Sequence, residues 1–337
     1  MRIAIIDNIN EDIGLKILFP EADYYICQEK PYWNQSYQYY NFRPMVSLEH
    51  ITDSNYDILF IIMPIRHLGN NESAVECIRT NYHLKIAPII LQNNYKTVCF
   101  FDNEDYDYDP NTYISYPNKN LFFFKRNYSK HQVYFKNVIS FPFIMFGPNN
   151  IMERIDRQMV TESDYIMPKQ ERVFFTGGLY IHECKPFNVY VNRRDMYNKI
   201  SSTIFNPGSM QNQEFINAIQ QSKFSLDLHG AGNPNIRTFE ILLSGSLVLQ
   251  QKNDLVWPFE SPILEECIFE NAEEYFIKLD YLMKHDDVYN KCLAHQYAIV
   301  NKYFNKAWLR NYILHLLTFQ MPTQRVGIYS EAVNVIR

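Results

Sequence analysis

Residues 226–250 run LDLHGAGNPNIRTFEILLSGSLVLQ, and the architecture is read outward from them. Phe224–Leu228 reads as a strand that runs into a loop of small residues. Small residues then follow through Gly230 and Gly232, as expected where backbone turns tightly or approaches a ligand. A helix is predicted over Asn235–Ser244, and Ser246–Gln250 returns as the next strand. A strand, helix and strand of these lengths build a parallel sheet, whose ligand crevice lies at the carboxyl ends of its strands.

The chemistry of this unit points to an anion. Asn235 opens the helix, where backbone N–H groups and the helix dipole favour a phosphate. Arg237 lies in the first turn and can pair bidentately with a diphosphate. Glu240 follows by three positions and shares that face, so its carboxylate can accept from two ribose hydroxyls. His229 stands at the strand end beside Gly230. Upstream, Gly177 and Gly178 end another predicted strand, Arg172–Thr176, and Arg194 lies on a helix predicted over Asn192–Ile200. Six of the ten glycines fall between 177 and 245.

The same alternation continues in both directions. Downstream, helices are predicted over Ala272–His285, Asp287–Phe304 and Ala307–Thr318. Between the glycine segments, Ser202–Phe205 reads as a strand and Gln211–Gln221 as a helix. The first half alternates as well. Strands are predicted at Arg2–Ile6, Asp57–Met63, Ala87–Leu91, Thr97–Phe101, Leu121–Phe124 and Val138–Phe141, with helices at Asp12–Phe19 and Ser73–Thr80. Gly147–Glu171 carries the Gly, Pro, Asn and charge content of a boundary. At 337 residues the chain is long enough for two domains. They are assigned to 1–150 and 151–315, with 316–337 returning to the first.

Bulk composition narrows the function class. Net charge is −5, which disfavours a protein that tracks nucleic-acid backbones, and nucleic acid is not expected as a partner. Cysteines at 27, 77, 99, 184, 267 and 292 show no metal-ligand or redox spacing and read as reduced thiols in a cytoplasmic setting. No apolar run reaches membrane-spanning length, so no transmembrane segment is expected, and peripheral membrane contact stays open. The acidic run 102–110 contains Asp-x-Asp twice but lacks the Gly and closing Glu of a calcium loop. Asp102 follows the predicted strand Thr97–Phe101 at its carboxyl end and is the first candidate for a general base, with Asp105 the second.

Taken together, the residues Asp227, Gly230, Arg237, Ser244-Gly245-Ser246-Leu247-Val248 and Gln250-Gln251 resemble the donor-site region of GT-B glycosyltransferases. Phe174-Phe175-Thr176-Gly177-Gly178, followed by Arg193-Arg194-Asp195, is similar to the Phe-Arg-Gly-Ser and Arg-Asp block of glycosyltransferase family 90. That family includes protein O-glucosyltransferases and capsule-associated xylosyltransferases, and the exostosin-like family comes second. The resemblance covers 172–252 and implies two Rossmann-like domains facing across a cleft. It also implies a nucleoside-diphosphate sugar donor, a glycan or protein acceptor, and inverting transfer. No metal and no other cofactor is expected, because arginines and the helix terminus compensate the diphosphate charge. An epimerase-like enzyme of the same fold and a non-catalytic binding protein are the alternatives.

Overall fold

The computed structural model describes residues 1–7, 14–27, 46–51, 56–63, 65, 76–92, 95–102, 108–116, 119–142, 155, 161–179, 189–210, 212–230, 236–318 and 325–326. Two compact units emerge: Met1–Glu153 with Leu309–Arg337, and Arg154–Trp308.

The first unit is built on a parallel sheet. Its strands are β1 (Ile3–Asp7), β2 (Asp23–Ile26), β3 (Val46–Ser47), β4 (Ile58–Ile62), β5 (Thr97–Asp102), β6 (Asn120–Lys125) and β8 (Val138–Ser140), in the order β3-β2-β1-β4-β5-β6-β8. A short β7 (Tyr134–Phe135) lies outside this sheet. The order 3-2-1-4-5-6 is that of a doubly wound Rossmann sheet. β1, β4 and β5 are buried at every position, as strands covered on both faces must be. The core between them stacks aromatic rings across neighbouring strands, Phe100 on Phe123 and Phe101 on Phe124. Helix α1 spans Gly14–Leu18.

One expectation fails here. Ala87–Leu91 is predicted as a strand, but the chain forms helix α2 (Glu76–Asn81), a π-helical turn over Tyr82–Ile86, and helix α3 (Ala87–Gln92). A short apolar run cannot by itself separate a strand from a buried helix. Pro88 explains the wide turn. Proline lacks an N–H and its ring crowds the carbonyl four residues back, so the ladder loosens just before it. The Ala87 N–H accordingly bonds to the Tyr82 carbonyl.

The second unit carries β9 (Gln170–Phe174), β10 (Ile204–Phe205), β11 (Ser222–Asp227), β12 (Leu247–Gln251) and β13 (Ile268–Phe269), all parallel, in the order β10-β9-β11-β12-β13. Its helices are α4 (Glu162–Ile166), α5 (Val189–Ile200), α6 (Asn212–Gln220), α7 (Ile236–Leu242), α8 (Ala272–Lys284) and α9 (Asp286–Tyr303). Strand order reverses between β9 and β11, which makes their carboxyl ends the switch point where ligands bind in such sheets. Trp257 packs against Phe239, Phe259 and Phe304, so this aromatic group is core.

Helix α10 (Lys306–Thr318) and strand β14 (Arg325–Val326) end the described chain. Within the first unit, Arg310 donates to the Leu18 carbonyl at 2.8 Å and lies over the Phe19 ring, and β14 pairs antiparallel with β7. No helix among the described residues is long and apolar enough to cross a membrane.

Two contacts fix α7 in place. Tyr165 of α4 donates to the Leu242 carbonyl at 2.6 Å and Ser244 to that of Glu240 at 2.6 Å, satisfying carbonyls a short helix leaves open. Gly245 then turns the chain into β12 with φ +77°, and a Cβ there would lie 2.5 Å from the Asp164 carbonyl oxygen. Gly245→Ala therefore meets both backbone strain and a clash with rigid backbone. We expect a loss of at least about 2 kcal/mol, read as a melting temperature lower by roughly 4 °C or more. An unchanged melt would refute this account of the turn.

Candidate functional site

Asp227, the last residue of β11, is buried and organises the switch-point edge. Its Oδ2 accepts from Thr238 of α7 at 2.7 Å and from Gln250 of β12 at 2.8 Å. One carboxylate oxygen thus locks the first turn of α7 to two strand ends. A charged acceptor makes such bonds stronger than neutral ones.

Arg237 sits one residue before Thr238 and is held by this lock. Its side chain is 20% exposed, its guanidinium lies 4.5 Å from the centre of the Phe215 ring, and Nη1 is 3.6 Å from Glu240 Oε2. Burial lowers the guanidinium pKa, while the charges of Glu240 and Asp227 oppose that shift. A cation is thereby kept at the sheet edge between two carboxylates, with one edge still open to solvent. Gly177 lies beside it, since a Cβ on Gly177 would come within 3.8 Å of Arg237 Nη2. The i, i+3 pairing of Arg237 with Glu240 and the nearness of Gly177 are where the sequence led.

His229 and Gly230 follow β11. The His229 N–H donates to Gln251 Oε1 at 3.2 Å and its ring Nε2 to the Lys252 carbonyl at 2.5 Å, so its ring anchors the loop to the end of β12. Gly178 follows β9. On α5 it is Arg193, not the neighbouring Arg194, that meets these loops: it bonds to the carbonyls of His229 and Gly178. Arg194 is half-buried on the same helix. Gly232 and Asn235 lie outside the described residues, as does Asp105.

The first unit holds Asp102 at the carboxyl end of β5, paired in register with Lys125 of β6. Adjacent positions on parallel strands present their side chains to the same face, and here they meet. Lys125 Nζ is 3.0 Å from Asp102 Oδ2, with neither side chain exposed. Tyr108 donates to the same oxygen at 2.7 Å, and the Lys125 ammonium stands 3.8 Å from the centre of the Tyr108 ring. The Ile65 N–H approaches Oδ1 at 3.5 Å. Sequence reasoning found Asp102, but not its pairing with Lys125.

A cavity of about 500 Å³ opens at the opposite end of the second sheet, near Lys169, Lys223 and Tyr289. None of the expected site residues lines it.

Residues 182–313 match the family model described as "Glycosyl transferase-like", and no curated protein matches the chain. Among solved structures, T4 phage β-glucosyltransferase with its UDP-glucose substrate is similar, with TM-score 0.52 and 13% identity over 95% of this chain and 100% of that one. HepE of Anabaena with UDP-glucose gives TM-score 0.51 and 9% identity over 94% of this chain and 99% of that one. A further structure of the phage enzyme, with UDP and Mn²⁺, gives TM-score 0.50 and 12% identity over 95% of this chain and 100% of that one. The chain has the GT-B fold, and its residues 182–313 are similar to glycosyl transferase-like proteins.

Proposed function

We propose that the chain transfers a sugar from a UDP-sugar to a hydroxyl of a glycan or protein acceptor, with inversion and without a metal. Arg237 carries this reading: a largely buried cation beside Gly177, on the helix turn locked to the strand ends at the switch point of the second sheet. A diphosphate placed there would gain a charge-assisted partner, and the same partner would stabilise the charge that grows on the leaving phosphate. UDP-glucose is named with both the phage enzyme and HepE, which supports uridine as the donor's nucleoside. The family 90 resemblance over 172–252 supports a glycan or protein acceptor. Gly177, Gly178, Arg194, His229, Gly230, Gly232 and Asn235 would complete the donor site, with Asp102 as the base and Asp105 as its alternate. The thiols of Cys99, Cys267 and Cys292 are not in disulfides, which fits a reducing, cytoplasmic compartment.

The test is a panel of nucleotide sugars with glycan, peptide and duplex-DNA acceptors. DNA belongs in it because the phage enzyme is a DNA-modifying enzyme. Sugar transferred only when acceptor is present supports the reading. Altered donor without acceptor would instead mark an epimerase-like enzyme, and binding without turnover a carbohydrate- or nucleotide-binding protein. Transfer that stops in EDTA and returns with Mn²⁺ would overturn the metal-free part.

In this reading Glu240 accepts from the ribose hydroxyls. Glu240→Gln should weaken UDP about tenfold, the scale of one hydrogen bond to a charged group, beyond whatever stability is lost by unbalancing the buried Arg237–Glu240 pair, which a melting curve reads separately. Parent-like UDP affinity by calorimetry would remove Glu240 from the ribose.

A further inference from the structure

Arg193 bridges the switch point itself. The chain leaves β9, forms β10 on one side, and returns past β9 to form β11 on the other. Gly178 follows β9 and His229 follows β11, so the two loops flank the reversal. From α5, Arg193 donates through Nε to the His229 carbonyl at 2.5 Å and through Nη1 to the Gly178 carbonyl at 3.3 Å.

Peptide geometry gives this bridge a consequence. In a trans peptide the N–H points opposite to the C=O of the same unit. With the carbonyls of His229 and Gly178 drawn to one guanidinium, the N–H groups of Gly230 and Leu179 are both turned away from it. The β11 loop is bonded from its other side through His229 to Gln251 and Lys252, so Arg193 supplies its bond toward β9. We propose that Arg193 is a positioning residue that aims the amides of Gly230 and Leu179 at the donor's diphosphate. This rests on the UDP-sugar reading above. A planar guanidinium can hold two acceptors at fixed angles, whereas a lysine ammonium carries the charge without that fork.

The experiment compares the affinity of the parent chain, Arg193→Lys and Arg193→Gln for UDP-glucose by calorimetry and for uridine by competition. Both variants should bind UDP-glucose at least about tenfold more weakly, the scale of losing one or two aligned amide donors. Uridine, which lacks phosphates, should bind them like the parent, and their melting temperatures should stay close to it. Parent-like UDP-glucose affinity in Arg193→Lys would overturn the proposal, because charge alone would then suffice. Equal losses for UDP-glucose and uridine would also overturn it, since that marks general loosening of the site. Arg237→Ala separates the two readings. If it weakens UDP-glucose while the Arg193 variants do not, only the bridge fails. If it does not, or if the parent binds no UDP-glucose, the donor-site reading fails and the bridge falls with it.

Discussion

Asp102→Asn is expected to reduce sugar transfer at least about a hundredfold while leaving UDP-glucose affinity intact. A base for inverting transfer must reach the acceptor hydroxyl from the side opposite the leaving diphosphate. Asp102 is the candidate because it ends β5, at the carboxyl end of the first unit's sheet, where such sheets bind ligands. The substitution has a second effect that must be separated from the first. Asp102 is the buried partner of Lys125, and removing one member of such a pair leaves the other as an uncompensated charge, at a cost of about 3–5 kcal/mol. The single variant could thus lose activity by unfolding. The double variant Asp102→Asn with Lys125→Met removes both charges and is expected to melt closer to the parent. Lys125→Met alone leaves the carboxylate buried without its cation and should melt lower than the double variant. A folded double variant that transfers sugar at the parent rate would mean the base lies elsewhere. A product retaining the donor's anomeric configuration would sink the inverting scheme itself.

Arg237→Ala should weaken UDP-glucose by about 2–4 kcal/mol. The size follows from two losses. The diphosphate loses a charge-assisted partner, and it then faces Glu240 and Asp227, both buried and no longer balanced by the guanidinium. Arg237→Lys should recover part of the affinity, because it restores the charge without the bidentate fork. Calorimetry with UDP-glucose, with and without EDTA, reads both. Unchanged affinity in Arg237→Ala would remove the diphosphate from this place.

The sequence made most of the second unit's elements legible to within two or three residues, because glycine- and proline-bearing turns separate its strands from its helices and the helices after Ala272 are long. Arg237 and Glu240 were readable as a pair because three residues on a helix define a shared face. Arg193 and Arg194 were not separable in this way. Adjacent helical positions differ by about 100° in direction, and only the packed helix shows that Arg193 meets the two loops. Asp102 and Lys125 are 23 positions apart, and only the register of β5 on β6 brings them together. Cys267 and Cys292 were read as scattered thiols. The structure brings the two thiols together, one just ahead of β13 and one on α9, beside the ion pair of Glu266 with Lys291, and the neighbouring Cys292 with burial pushes the Cys267 thiol up.

β12 shows how an interior position can still need guarding. β13 pairs with it only at Gln250 and Gln251, leaving the start of that edge without a strand. The side chain of Gln296, on α9, fills the gap. Its Oε1 accepts from the Val248 N–H at 3.2 Å and its Nε2 donates to the Ser246 carbonyl at 2.8 Å, reproducing one rung of a ladder with an amide that is not backbone. Gln296 thus satisfies two buried backbone groups that β13 does not reach, and a hydrophobic residue there would leave an N–H and a carbonyl buried without partners, at a cost of about 1–3 kcal/mol each.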